Sequence, residues 1–302
     1  MNNKGFTLME ILGVITLLAI LSTLIILSVN KSLKDSKETL YQQQIEEIKA
    51  AAGMWRTDNI ENTPDNDYCI VSLQQLKDEG YIKGDIINPK TDAPFDNITL
   101  GVSLNDIKVD SLENILANKG YTKLDYIEST GNNYIDTKII ANENTGFEIE
   151  FSTSNEFGEW GTTGYGSIFG ARTSSKVNEL QLTTYKADES YSGTLRFETK
   201  NYNAGIESKN KKVKISLKNK KYVDSKGVQT DVVGSFTTPV PLTLFALNEN
   251  GNIIQNGTVK LYSFKIYEGD ILIRDFMPVE DLSGIQLLYE KKENKEYRFQ
   301  TN

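Results

Sequence analysis

Lys4-Gly5-Phe6-Thr7-Leu8-Met9-Glu10 leads without a break into the apolar run Ile11-Leu12-Gly13-Val14-Ile15-Thr16-Leu17-Leu18-Ala19-Ile20, which continues to Val29. Between residues 6 and 29 the single charge is Glu10. A helix rises about 1.5 Å per residue and a bilayer core takes roughly 20 apolar residues, so this run predicts a helix of membrane-spanning length. It exceeds the apolar region of a secretory signal peptide, about 7–15 residues, and no A-x-A-like cleavage site follows it. A carboxylate within such a segment costs on the order of 2.5–3.5 kcal/mol, so Glu10 is expected to have a partner.

Gly5-Phe6-Thr7-Leu8-x-Glu10 followed by a long apolar helix resembles the class III signal of type IV prepilins and pseudopilins. The resemblance implies that residues 1–5 are a leader and that a prepilin peptidase cuts after Gly5 on the cytoplasmic face. The same enzyme then methylates the new N-terminus, Phe6. It implies further that the helix resides in the membrane as a single pass before assembly, then joins other pilin subunits by helix–helix stacking. Glycine suits the cut because its backbone enters a narrow cleft closely. Glu10 is then the assembly residue, meeting the Phe6 ammonium of a neighbouring subunit; a buried pair of this kind sets register more than it adds stability. Many pilins carry a proline near the position of Leu27, whereas the first proline here is Pro64. Lys4 lies on one side of the run and Lys31, Lys34 and Lys37 on the other, so orientation follows from the resemblance rather than from charge bias.

Composition narrows the chemistry. The chain has 302 residues, 41 acidic against 33 basic, and a formal charge of −8, which argues against nucleic acid as a partner. It contains no histidine, which removes Ser-His-Asp and Cys-His nucleophiles, HExxH zinc sites and imidazole proton shuttles. The lone Cys69 forms no intramolecular disulfide or thiolate cluster and reads as a half-buried structural residue. No cofactor and no metal site is expected; a calcium site built from loop oxygens stays open, although no dense carboxylate cluster resembles a known loop.

Beyond Val29 the helix turns amphipathic. Tyr41, Ile45, Ile48, Ala52 and Trp55 form one apolar stripe at helical period, which predicts packing of the stem against its own head. The helix should end near Thr57–Asn59, before Asn62-Thr63-Pro64-Asp65. Ser72 through Ile82 reads as a short helix with Ser72 as N-cap and Gly80 as its stop, and residues 98–109 as one or two short strands. Gly80-Tyr81-Ile82-Lys83 through Ile87-Asn88-Pro89-Lys90 resembles a segment of Gram-positive pilins. Fifty-odd residues bury little core alone, so this head segment is expected to depend on the stem.

Near Gly120 the pattern becomes short alternating strands. Phe147 to Phe151, Leu180 to Tyr185, Leu195 to Thr199 and Val213 to Leu217 alternate at period two. Residues 259–267 and 271–276 flank Glu268-Gly269-Asp270, a tight hairpin turn. Some ten strands predict a two-sheet β-sandwich. Leu124-Asp125-Tyr126-Ile127-Glu128-Ser129-Thr130-Gly131-Asn132-Asn133-Tyr134-Ile135-Asp136-Thr137 and the closing Lys260 to Tyr267 and Arg274 to Pro278 resemble concanavalin A-like, laminin-G-like domains. That fold hosts lectins, hydrolases and inert spacers alike. The expected class is α+β: a leader at 1–5, a transmembrane and stem helix at 6–60, a small pilin head at 61–118, and a jelly-roll sandwich at 119–302.

Glu148-x-Glu150 is the one tempting carboxylate pair, but Phe147, Ile149 and Phe151 occupy the alternate face and Thr153 stands where a third acid would complete the glycosidase pattern. The chain is therefore not expected to be an enzyme. Trp160 and Tyr165 in the stretch Glu159 to Gly166, with Tyr185, are the candidate ligand contacts, since aromatic faces stack on sugar rings. Taken together, these resemblances imply a minor or tip subunit of a pilus at the cell surface, displaying a lectin-like domain for adhesion to surface glycans. Two alternatives remain open: a membrane-anchored carbohydrate-binding or glycoside-hydrolase-like protein that does not polymerise, and a pseudopilin of a secretion or DNA-uptake system.

Overall fold

The computed structural model describes residues 8–65, 67–95, 98–153, 163–187, 190–208 and 210–301. One α-helix runs from Leu8 to Asp58, and its chain contacts divide the molecule into two compact units. The first comprises Met1–Trp55 and Ser72–Ile98; the second comprises Arg56–Val71 and Thr99–Asn302. The head segment expected at 61–118 is thus distributed over both.

In the first unit the apolar stripe of the stem does what its spacing predicts. Ile45, Ile48, Ala51, Ala52 and Trp55 are buried, as are Leu73, Leu76, Ile82, Ile86 and Phe95 of the 72–98 segment. The Trp55 indole donates to Glu79 Oε2 at 2.9 Å, and the Tyr41 and Phe95 rings lie 5.6 Å apart. Lys90 sits 3.7 Å over the Tyr41 ring and pairs with Glu38 at 2.8 Å, while Lys37 pairs with Asp92 at 2.7 Å. The short helix is Leu73–Asp78; Ser72 accepts from the Gln75 N–H, and Gly80 follows at φ +84, a conformation that a Cβ would strain.

In the second unit, two sheets face one another. Among the described residues the nine-stranded sheet runs Lys200–Asn203, Ser190–Phe197, Leu180–Ala187, Thr163–Arg172, Thr243–Leu244, Asn133–Asp136 and Gln300–Thr301, with two short strands off this path. The ten-stranded sheet is centred on Thr145–Thr153, Val259–Glu268 and Ile271–Asp281. Alternation works as read: Phe147, Ile149 and Phe151 are buried in the core. Phe169 of one sheet meets Phe147 at 4.9 Å and Phe264 at 5.4 Å across the gap, and Phe276 stacks on Phe264 at 5.9 Å. The hairpin at 268–271 closes with Glu268 opposite Ile271 and Gly269 at φ +60.

Two local readings change. The strand expected over 195–199 is Ser190–Phe197, because Glu198 adopts φ +54 and turns the chain so that Phe197 pairs with Lys200. Cys69 is wholly buried rather than half-buried, and burial pushes its thiol up to about 11. A further helix, Leu112–Asn118, is capped by Ser111, which accepts from the Asn114 N–H. Its Ile115 and Leu116 join Ile70, Met277, Val279, Leu287 and Tyr289 in a second apolar cluster. The chain around residue 119 is therefore part of a packed layer against the sandwich and not a free connector.

Candidate functional site

Over residues 8–23 the helix that carries the N-terminal signature is almost wholly apolar and is exposed throughout. Leu8, Met9, Leu12, Val14, Ile15, Leu17, Leu18 and Ile20 are all exposed, Leu8 by 86% and Leu17 by 62%. A helix hydrophobic all round belongs inside a larger protein assembly or a membrane. Its few polar groups are already satisfied for such surroundings: Thr16 Oγ1 donates to the Leu12 carbonyl at 2.8 Å and Thr23 Oγ1 to the Ala19 carbonyl at 2.9 Å. Met9, Leu12, Gly13, Thr16, Leu17 and Ile20 line a shallow groove, and at Gly13 an added Cβ would meet nothing within 4 Å. Leu33, Leu40 and Met54 are likewise exposed and continue apolar surface along the stem at seven- and fourteen-residue spacing.

Glu10 stands in the first turn of this helix, where an acid complements the positive end of the helix dipole. Gly5 and Phe6 lie outside the described residues. Among the residues whose side chains are described, no helix is long and apolar enough to cross a membrane. The side chains of Leu24, Ile25, Leu27 and Ser28 lie outside that description, and they interrupt a run that is continuous in sequence.

The sandwich offers a second candidate. Trp160 lies outside the described residues. Tyr165 and Tyr185, both candidate ligand contacts, are direct partners across the antiparallel pair Thr163–Arg172 and Leu180–Ala187. Leu180 and Leu182 point into the core, so Gln181, Thr183 and Tyr185 belong to the opposite face of the sheet. Tyr185 is half-buried there. Beside it runs a polar layer that sequence alone does not reveal. Gln181 is fully buried, donating to Ser167 Oγ at 3.1 Å and to Gln255 Oε1 at 2.8 Å, while its own Oε1 meets no donor among the described residues. The residue types carry no signal for this layer; it arises when residues 255–257 cross the sheet, with Ser167 N–H donating to the Gln255 carbonyl at 2.8 Å.

Glu148 and Glu150 lie on the outer face of the other sheet and are held by lysines. Glu148 pairs with Lys218 at 2.7 Å and Lys214 at 3.3 Å, and accepts from the Tyr267 hydroxyl at 2.8 Å. Glu150 pairs with Lys212 at 3.0 Å. Burial raises the Glu148 carboxyl, but the hydrogen bonds from Lys218 and Tyr267 and the lysine charges outweigh it and hold the group down to about 2. A general acid for glycoside cleavage needs the opposite shift. In this structure Glu148 serves as the acceptor of two lysine ion pairs.

Comparison with known proteins bears on the first of these sites. Residues 1–26 match the family described as the prokaryotic N-terminal methylation motif. No curated protein matches the sequence. Among solved structures, the chain is similar to the native heptameric SAP-like pentraxin of Limulus polyphemus, at 9% identity and a TM-score of 0.32 over 46% of this chain and 70% of that one. It is also similar to the full-length tailspike protein 2 of Escherichia coli O157:H7 bacteriophage CAB120, at 8% identity and a TM-score of 0.28 over 49% of this chain and 22% of that one. The motif at residues 1–26 thus overlaps the start of the helix Leu8–Asp58.

Proposed function

We propose that the chain is a minor or tip subunit of a type IV pilus-like fibre, anchored in the membrane until its leader is removed and then polymerised through its N-terminal helix. The observation that carries this reading is the conjunction of the methylation motif at 1–26 with a helix whose N-terminal part, residues 8–23, is apolar and exposed. Such a helix needs lipid before assembly and neighbouring helices after it. Glu10 pairs with the Phe6 ammonium of the adjoining subunit and fixes the axial register of stacking. The sandwich is the displayed module, and the outer face around Tyr165 and Tyr185, with Trp160, is where it takes a surface glycan by stacking. Its lack of histidine suits contact rather than catalysis.

Tip placement follows from bulk. A sandwich of this size at every position would crowd a closely stacked lattice, and the helix before residue 119 packs onto the sandwich rather than serving as a connector that could hold it clear. Gold-labelled antibody against residues 99–302 should mark surface fibres at one end. Uniform labelling along the fibre would overturn the tip placement, and label confined to the membrane with none on fibres would favour the anchored, non-polymerising alternative.

A further inference from the structure

Lys119 is a buried amine with an unusual set of neighbours. Its side chain is only 3% exposed, although it follows the last turn of Leu112–Asn118, where a lysine ordinarily extends into water and interacts favourably with the helix end. Instead Nζ hydrogen-bonds to Asp67 Oδ2 and donates to the Tyr68 carbonyl at 3.1 Å, lying 5.4 Å from the centre of the Tyr289 ring. The same Asp67 Oδ2 accepts from Asn294 Nδ2 at 3.2 Å. The other end of that carboxamide, Asn294 Oδ1, accepts from the Tyr289 hydroxyl. Tyr289 is itself buried, burial keeps its hydroxyl protonated, and its ring packs 5.4 Å from that of Tyr121. One carboxylate oxygen therefore holds a nucleophilic amine and a carboxamide side by side, against aromatic rings, with a hydroxyl aimed at the carboxamide oxygen.

We propose that Lys119 and Asn294 form an intramolecular amide cross-link, with Asp67 as the proton relay and Tyr289 as the oxyanion donor. The Lys119 ammonium first passes a proton to Asp67, whose Oδ2 already accepts its hydrogen bond and whose exposed side chain leaves it able to exchange protons with solvent. The neutral amine attacks Cγ of Asn294 and a C–N bond forms. The Tyr289 hydroxyl holds the developing negative charge on Oδ1. Asp67 delivers its proton to Nδ2 and takes one from the new amide nitrogen; the Cγ–Nδ2 bond breaks and ammonia leaves. In net terms a lysine ammonium and a carboxamide yield an amide and an ammonium ion, with no oxidant or cofactor. Prior placement of amine and carbonyl supplies the entropy that makes such a slow reaction accessible. The product staples residue 119 to the turn between Gln286–Glu290 and Lys295–Arg298, so that pull along the chain meets a covalent bond before it meets the sandwich core.

This assignment stands apart from assembly and holds whether or not the chain enters a fibre. The test is intact-mass and peptide mass spectrometry of the full chain, purified in detergent. The wild-type protein should be lighter than its processed sequence by one ammonia, and digestion should release a branched peptide joining Lys119 to Asn294. Asp67→Ala and Lys119→Arg should each restore the full mass while circular dichroism shows a folded sandwich. The wild-type mass alone decides the matter if a variant fails to fold. Folded wild-type protein at full mass, giving linear peptides only, would overturn the proposal. A branched peptide joining Lys119 to Asp67 with loss of water would overturn the role given to Asn294.

Discussion

Glu10→Gln should leave the chain processed and inserted in the membrane yet keep it out of fibres. The substitution preserves size and hydrogen-bonding capacity in the first helical turn and removes only the charge. In the membrane that change is mild, since a neutral amide is cheaper there than a carboxylate. In the proposed fibre it leaves a neighbour's Phe6 ammonium without its counter-charge in an apolar bundle. Breaking a buried ion pair from one side costs about 3–5 kcal/mol. At each addition step this lowers incorporation by about two to four orders of magnitude. Quantifying the variant in sheared fibres against the membrane fraction checks this, and equal incorporation would remove Glu10 from assembly.

Phe264→Ala should be the most destabilising single change in the sandwich. Phe264 is fully buried at the centre of an aromatic chain, 5.4 Å from Phe169 of the opposite sheet and 5.9 Å from Phe276 on the adjoining strand. Truncation removes contacts with both and leaves a cavity that two sheets joined across it cannot close, at a cost of about 3–5 kcal/mol. For a domain of this size that corresponds to a fall in thermal midpoint of roughly 6–20 °C. Phe264→Leu, which refills most of the volume, should lose much less. A calorimetric midpoint unchanged in Phe264→Ala would place the core elsewhere.

Periodicity made the helices and the long strands legible. The stripe from Tyr41 to Trp55 marked the buried face of the stem before any contact was known, and Phe147 to Phe151 marked the inward face of a central strand. Turn chemistry located the hairpin at Gly269 and the end of Leu73–Asp78 at Gly80. Leu112–Asn118 carried readable signals, Ser111 as cap and Gly120 as stop, but at two turns in length it offers too little periodicity to separate a helix from a loop. The Glu198 turn needs φ +54 at a residue type that gives no warning of it.

Partnerships across the chain were out of reach. Tyr165 and Tyr185 were each recognisable as candidate aromatics, but their pairing depends on a bulge between Ser167 and Phe169 that sets the register of the two strands. Gln181 and Gln255 meet because a late segment crosses the sheet, and nothing local to either residue encodes that. The same holds for Asp67, Lys119 and Asn294, three ordinary polar residues that the sheet topology gathers around one oxygen.

The most direct test of the account is the N-terminal peptide of the mature surface protein, read by mass spectrometry. It should begin at Phe6 and carry one N-methyl group, with residues 1–5 removed. A surface-assembled protein that still begins at Met1, or one cut beyond Val29 as a secreted protein would be, would contradict it.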